Sequence, residues 1–215
     1  MDAATIDETV STATTGLRLL EHPFYRRWEA GELAEGELAA YAAQYRHFEA
    51  MLPRFLGALA GSLPEGEARR AVTANLADEC GDPVPHVELF EGFAGALGAP
   101  QTEATPATRA LLGAYDAVLS QGPVSALAGL LAYEHQAPEI ADSKAAGLRA
   151  HYGLDGGAVG FWDHHATVDV AHRTWTSDAL AGLEAPTEVD AAATRVVAEA
   201  WWGFLDEREA ARPAA

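Results

Sequence analysis

The sequence predicts an all-α fold, a single-domain bundle of about seven helices spanning residues 1–215. Three observations predict it. Apolar residues recur every three or four positions over long stretches, as in Leu38, Tyr41, Tyr45, Phe48 and Leu52. Proline and glycine fall mainly between those stretches and punctuate them. No alternating polar–apolar run long enough for a strand is present, and there is no Gly-rich phosphate loop or internal repeat.

The first helix is expected over residues 5–29, bent near His22-Pro23 and ended by Gly31. The second covers 35–59, with Pro53 bending it. The third runs over 65–97, interrupted near Gly81-Asp82-Pro83, and weaker helix covers 106–119. Another follows Pro123 and runs to His151, where Tyr152-Gly153 stops it. The next spans 158–182. The last begins at Thr187, an N-cap before Glu188, and reaches Ala211. Residues 99–107 and 183–187 read as loops within one domain.

Bulk composition narrows the function. The formal charge is −18 and the pI about 4.6, with no run of clustered Lys or Arg. A polyanion such as nucleic acid would be repelled, so no nucleic-acid partner is expected. No stretch reaches the ~18 uncharged apolar residues of a membrane span, so no membrane partner is expected either. The N-terminal residues lack the basic and apolar regions of a secretory signal. One cysteine, Cys80, excludes an intrachain disulfide and suits a reducing cytoplasm. Of the 14 basic residues 13 are arginine, and Lys144 is the only lysine.

Three segments carry chemistry. Glu79 and His86 lie seven apart, two helical turns, although Gly and Pro intervene. Glu134 follows the apolar stretch Leu127–Tyr133. His165, Asp169 and His172 are offset by four and seven, which puts them on one helix stripe. Facing helices of a bundle build metal sites from such residues. Three imidazoles and three carboxylates give three ligands to each of two ions, and their −3 meets +4 from two divalent cations. Such ligands suit iron or manganese, and the absence of a thiolate cluster disfavours zinc. Taken singly, each imidazole reads as an ordinary solvated or hydrogen-bonded side chain.

At these residues the sequence resembles the haem-oxygenase-like dimetal oxidases, and most closely the chlamydial death-domain-associating type of para-aminobenzoate synthase. The likeness runs through Leu20-Glu-His-Pro-Phe-Tyr-Arg-Arg-Trp28, Gly31-Glu-Leu33 and Tyr41-Ala-Ala-Gln-Tyr45. It continues with Asn75-Leu-Ala-Asp-Glu79 to His86, Tyr133-Glu134 to Ile140, and Lys144-x2-Gly-Leu148. It then takes in Tyr152-Gly153, the His165/Asp169/His172 triplet and Trp202-Gly-Phe-Leu-Asp206. The resemblance implies a haem-oxygenase-like fold and a centre of two non-haem ions, Fe/Fe or Mn/Fe. It implies dioxygen and an external reductant as co-substrates, and a homodimer. It also implies that the protein consumes itself: Tyr25 matches a tyrosine cut out to become the ring of para-aminobenzoate, a folate precursor, and Lys144 matches the donor of its nitrogen. Tyr41 and Tyr133 match two further tyrosines implicated near the site.

Read without the resemblance, Tyr25, Tyr41 and Tyr45 fit core packing. Lys144 lies ten residues after Glu134. On one continuous helix that separation is about 80° in azimuth, which does not aim its amine at the metals. A deprotonated amine is nonetheless nucleophilic where a guanidinium is not. Departures from the family pattern are Arg46 in place of an aromatic, His164 beside His165, the extra imidazoles His135 and His151, and the lack of a Cys-rich tail. Three other readings stay open: a dimetal oxidase acting on an external amino acid or fatty acid, a metal-free relative of thiamine-salvage hydrolases or cofactor-maturation oxidases, and a non-enzymatic binding protein.

Overall fold

The computed structural model describes residues 3–81, 84–183 and 191–212. Among them are ten α-helices, two 3-10 turns and no strand. In order they are α1 (Ala3–Ala13), a turn at Leu19–Glu21, α2 (Pro23–Ala30), α3 (Glu35–Ser62), α4 (Glu67–Cys80) and α5 (His86–Ala96). Then come α6 (Pro106–Gln121), α7 (Pro123–Glu134), α8 (Ala137–Tyr152), a turn at Gly156–Ala158, α9 (Gly160–Ala181) and α10 (Ala191–Ala210).

The total exceeds the expected seven because three of the expected helices are each broken in two. Pro23 forces His22 into an extended conformation (φ −66°, ψ 138°), and the His22 ring caps α2 by accepting from the Phe24 N–H. Gly81 leaves the helical region at φ +68° and ends α4. Asp82 and Pro83, expected at that interruption, lie outside the described residues. Pro138 lacks an N–H and its ring would meet the carbonyl of Glu134, so α7 stops there and α8 starts at Ala137. The expected stops hold at Gly31 and Gly153, both left-handed C-caps. α3 continues through Pro53 to Ser62. Thr187, Glu188 and residues 184–187 of the expected loop lie outside the described residues.

α7 is the axis of the site. Every residue from Ser125 to Glu134 is buried, as expected of a helix that is apolar all round. It lies against α6, α9 and α10. Gly129 permits that closeness, since a Cβ there would sit 2.8 Å from Val118 and 3.1 Å from Val197. α9 packs on α4, α7 and α8, while α3 covers α4, α5 and α6. No helix among the described residues is long and apolar enough to cross a membrane.

A second close approach positions Lys144. α8 meets α2 at Gly147, where a Cβ would lie 2.8 Å from Trp28 Cδ1. The Trp28 indole N–H donates to the Lys144 carbonyl at 3.3 Å. Gly147→Ala gains about 1 kcal/mol of helix propensity, but overpacking Trp28 costs about 1–3 kcal/mol. The expected result is a net loss of about 1 kcal/mol in urea unfolding. Gly113→Ala on the exposed face of α6, where a Cβ meets nothing within 4 Å, is expected to shift the midpoint the opposite way.

Candidate metal centre

Four helices deliver the six expected ligands. Glu79 closes α4, His86 opens α5, Glu134 ends α7, and α9 carries His165, Asp169 and His172 on one unbroken stripe. All six are buried, none more than 8% exposed. Glu79, Glu134, His165, Asp169 and His172 line one cavity between α3, α4, α7 and α9. His86 stands beside it with Nδ1 3.0 Å from Glu79 Oε2. One ligand atom each from Glu79, His86 and His165 lies within 4.8 Å of the other two. His172 Nδ1 is 3.2 Å from Asp169 Oδ1 and 3.6 Å from Glu79 Oε1.

These atoms converge without satisfying each other. His86 Nδ1 and Glu134 Oε2 are buried and have no hydrogen-bond partner among the described residues. His86 Nδ1 is near Glu79 in distance but lacks hydrogen-bond geometry, so the two groups aim at a common point rather than at one another. Orphaned buried polar atoms are rare in native proteins and call for a bound partner. The donor set of imidazole nitrogens and carboxylate oxygens fits iron or manganese.

The far side of each ring is held. His165 Nδ1–H donates to the Phe161 carbonyl at 2.8 Å, which leaves Nε2 as its free ligand atom. His172 Nε2–H donates to Asp78 at 2.6 Å, while its Nδ1 turns to the cavity side, where Asp169 holds it at 3.2 Å in the metal-free protein. His86 Nε2 lies 2.9 Å from His164 Nε2 and 3.7 Å from Asp78. Asn75 donates to Glu134 Oε1 at 2.9 Å. Such partners fix tautomer and ring orientation. His165 faces the cavity, while half-buried His164 lies beyond His86, where it, His86 and Asp78 bring ligand atoms within 4.8 Å of one another as a second group that could hold an ion.

Burial sets the electrostatics. Desolvation lifts the Glu134 carboxyl to about 7, against the opposing pull of His172, Thr176 and Asn75. It raises Asp169, and it raises Glu49 well above the ordinary carboxylate range. It holds His165 well below an ordinary imidazole, in the neutral form a metal needs. Desolvation would lower His172 too, but the Asp169 hydrogen bond and the charges of Glu79, Asp169 and Glu134 carry it up to about 10.

Tyr133 lines the cavity, whereas Tyr25, Tyr41 and Lys144 form the layer behind it. Tyr25 and Tyr41 hydroxyls are 2.8 Å apart, and Lys144 Nζ donates to the Tyr41 oxygen at 2.6 Å. Lys144 is 1% exposed and sits in an aromatic box, 4.0 Å from the Trp162 ring centre and 4.6 Å from that of Tyr25. Burial pushes its amine well below the ordinary lysine range. As the spacing from Glu134 implies, the amine does not line the cavity; the helix is broken between the two residues, and the long side chain lies buried in the layer behind. His135 is set against Asp7, and His151 is exposed beside Gly31. Arg46 pairs with Glu91.

Several residues at the site carry no signal in sequence. Tyr45, read as core, bridges the two layers: its hydroxyl is 2.8 Å from Tyr133 and its ring centre 5.4 Å from that of Tyr41. Asp78, Asn75 and Glu49 looked like ordinary polar positions. Only the i+4 step from Tyr45 to Glu49 on an otherwise core-facing stripe could have flagged the last.

Residues 39–206 match a family described as iron-containing redox enzymes. A 4-aminobenzoate synthase of Nitrosomonas europaea is 32% identical, covering 96% of this chain and 92% of its own. Another from Chlamydia muridarum is 30% identical over 87% of this chain and 83% of its own. Among solved structures, a CADD-like protein of unknown function from Nostoc punctiforme superposes with a TM-score of 0.79 at 17% identity, over 94% of this chain and 95% of that one. A TenA homologue from Pseudomonas syringae gives 0.79 at 15% identity, over 98% and 96%. These structures share the fold.

The raised carboxyls Glu134, Asp169 and Glu49 and the raised His172 should stabilise the metal-free protein at acid pH, outweighing the opposite contribution of His165, whose depressed imidazole costs stability there. A carboxyl whose folded pKa is raised binds more protons folded than unfolded, so stability falls as pH rises from about 4.5 to the folded value. For Glu134 that window ends at about 7, and its shift alone is worth on the order of 3 kcal/mol. Thermal unfolding of chelator-treated protein is expected at higher temperature at pH 5 than at pH 8. Loading Fe(II) or Mn(II) should shrink that difference; an unchanged or reversed difference would contradict the assignment.

Proposed function

The chain belongs to the family of iron-containing redox enzymes, and from that membership we propose that this oxidoreductase makes 4-aminobenzoate from its own Tyr25, with nitrogen from Lys144. Glu79, His86, Glu134, His165, Asp169 and His172 would hold two ions, Fe/Fe or Mn/Fe. Such ions, when bound, activate dioxygen with electrons from an external reductant and supply oxidising equivalents.

The observation that carries the proposal is the placement of Lys144. The sole lysine of the chain is buried, contacts Tyr41, and points its amine at the Tyr25 ring from 4.6 Å. No carboxylate among the described residues lies within ion-pair distance of it, so its neutral form is favoured. A neutral amine is a nucleophile, and oxidation makes a phenol ring electrophilic. The box of Tyr25, Trp28, Tyr41, Tyr45 and Trp162 excludes water and holds amine and ring together.

Tyrosines connect the two layers. Tyr133 borders the cavity, hydrogen-bonds Tyr45, and Tyr45 stacks toward Tyr41, which hydrogen-bonds Tyr25. Burial raises every one of these phenols, so an electron can leave each only together with its proton. The two 2.8 Å hydroxyl pairs give those protons a short path. The cavity has about 20 Å³ of free space, and carboxyl and imidazole side chains converge on it. Cys80 is exposed at the end of α4, away from this cavity, which disfavours a cysteine hydrolase.

Protein carrying ring-labelled tyrosine, given Fe(II) or Fe(II) plus Mn(II), reductant and air, should release labelled 4-aminobenzoate, at most one per chain. Tyr25→Phe and Lys144→Arg should abolish it, and Tyr45→Phe should lower it at least tenfold at unchanged metal content. Oxygen uptake without labelled product would sink the self-consuming reading and point to an external substrate. Separately, Asp78→Ala should weaken metal binding about 10–100-fold, read by titration against a chelator, because His172 loses the group that fixes its tautomer.

A further inference from the structure

The cavity has a fourth carboxyl group that the six-ligand reading leaves without a task. Glu49 sits on α3 one turn beyond Tyr45, is 4% exposed, and lines the cavity together with Glu79, Glu134 and Asp169. Its neighbours there each have a polar group beside them: Asn75 donates to one oxygen of Glu134, His172 stands 3.2 Å from Asp169, and His86 lies 3.0 Å from Glu79. Elsewhere in the core a buried charge has an opposite charge beside it, as Arg27 has Glu37. Glu49 has neither a hydrogen bond to its carboxyl group nor an ion pair among the described residues. Lys144, which lies on its far side behind Tyr45 and Trp162, is beyond ion-pair distance and spends its hydrogen bond on Tyr41.

A carboxyl group buried without a partner is expensive, and it persists where a cation takes it. From the placement of this side chain we infer that Glu49 is a seventh protein ligand of the metal centre, coordinating through its carboxylate oxygen. This rests on the two-metal reading above but not on the identity of the product. Charge supports it. Glu79, Glu134 and Asp169 bring −3 to two divalent ions, and Glu49 makes it −4 against +4, so a dry cavity closes neutral. Coordination also explains why the side chain tolerates two like-charged neighbours, Glu79 and Asp169, which repel it in the metal-free protein. An ion set between them turns that repulsion into shared attraction.

The test is metal binding, with activity as a secondary readout. Full-length wild type, Glu49→Gln and Glu49→Leu would be titrated with Mn(II), with free ion read by electron paramagnetic resonance and bound ion by elemental analysis. Wild type is expected to bind two ions with a spin-coupled signal. Both variants are expected to keep one ion and to bind the other at least tenfold more weakly, with the coupled signal lost. Removing an unpaired buried carboxyl group should leave the metal-free variants at least as heat-stable as metal-free wild type, which separates ligand loss from misfolding. Two ions bound by the variants with unchanged affinity and signal would overturn the inference, including when oxygen uptake slows, since that pattern belongs to a proton carrier. A wild type that binds no Mn(II) or Fe(II) would instead overturn the two-metal reading itself.

Discussion

Desolvation is the constraint on which the rest of this structure depends. A bundle of about 200 residues would ordinarily keep carboxylates and amines on its surface. Here four carboxyl groups, three imidazoles, a lysine and four tyrosines are enclosed by α2, α3, α4, α7, α8 and α9. Burial drives each resolved carboxyl and phenol in this set toward its neutral form and does the same to Lys144 and His165. Only His172 moves the other way, because three carboxylates outweigh its lost hydration. The metal-free interior is therefore rich in groups driven toward their neutral forms, beside buried atoms of His86 and Glu134 that have no partner among the described residues.

The helices keep two chemistries apart within a few ångströms. On one side lies the small cavity of carboxyl and imidazole groups. On the other lies the aromatic box around Lys144. Tyr45 and Trp162 border both, since each lines the cavity and each has Lys144 Nζ over its ring. Tyr133 stacks on Trp201 at 4.4 Å, which pins the cavity-side phenol against α10. That packing makes the tyrosines a connected row rather than scattered core residues. The close approach at Gly147 then fixes how far α8 can bring its lysine in.

Local rules read well from the residues and tertiary ones did not. The helical class, the caps at Gly31 and Gly153, and the common stripe of His165, Asp169 and His172 follow from spacing and φ preference, which short stretches of chain determine. The helix total failed at His22-Pro23, Gly81 and Pro138, where a breaker sits inside a pattern that stays apolar on both sides. The Pro138 break also separates Lys144 from Glu134, so a residue count could not say how the two side chains sit, because it fixes direction only along an unbroken helix. Glu49, Asp78 and Tyr45 were illegible for another reason. Their surroundings come from what lies across the bundle, 30 to 120 positions away in sequence, and an isolated Glu or Tyr on a helix carries little trace of it.

The two halves of the site are coupled by the same low dielectric that makes each costly. Burial alone holds the Lys144 amine toward its neutral form beside the rings of Tyr25 and Trp162, and the raised Glu49 carboxyl beyond Tyr45 and Trp162 offers it little counter-charge in the metal-free protein. The two layers are thus neutral side by side rather than paired with each other. An arginine at that position could not respond, because no field inside a protein deprotonates a guanidinium at ordinary pH. In a chain that uses arginine at every other basic position, the one lysine is the basic residue enclosed in this aromatic box.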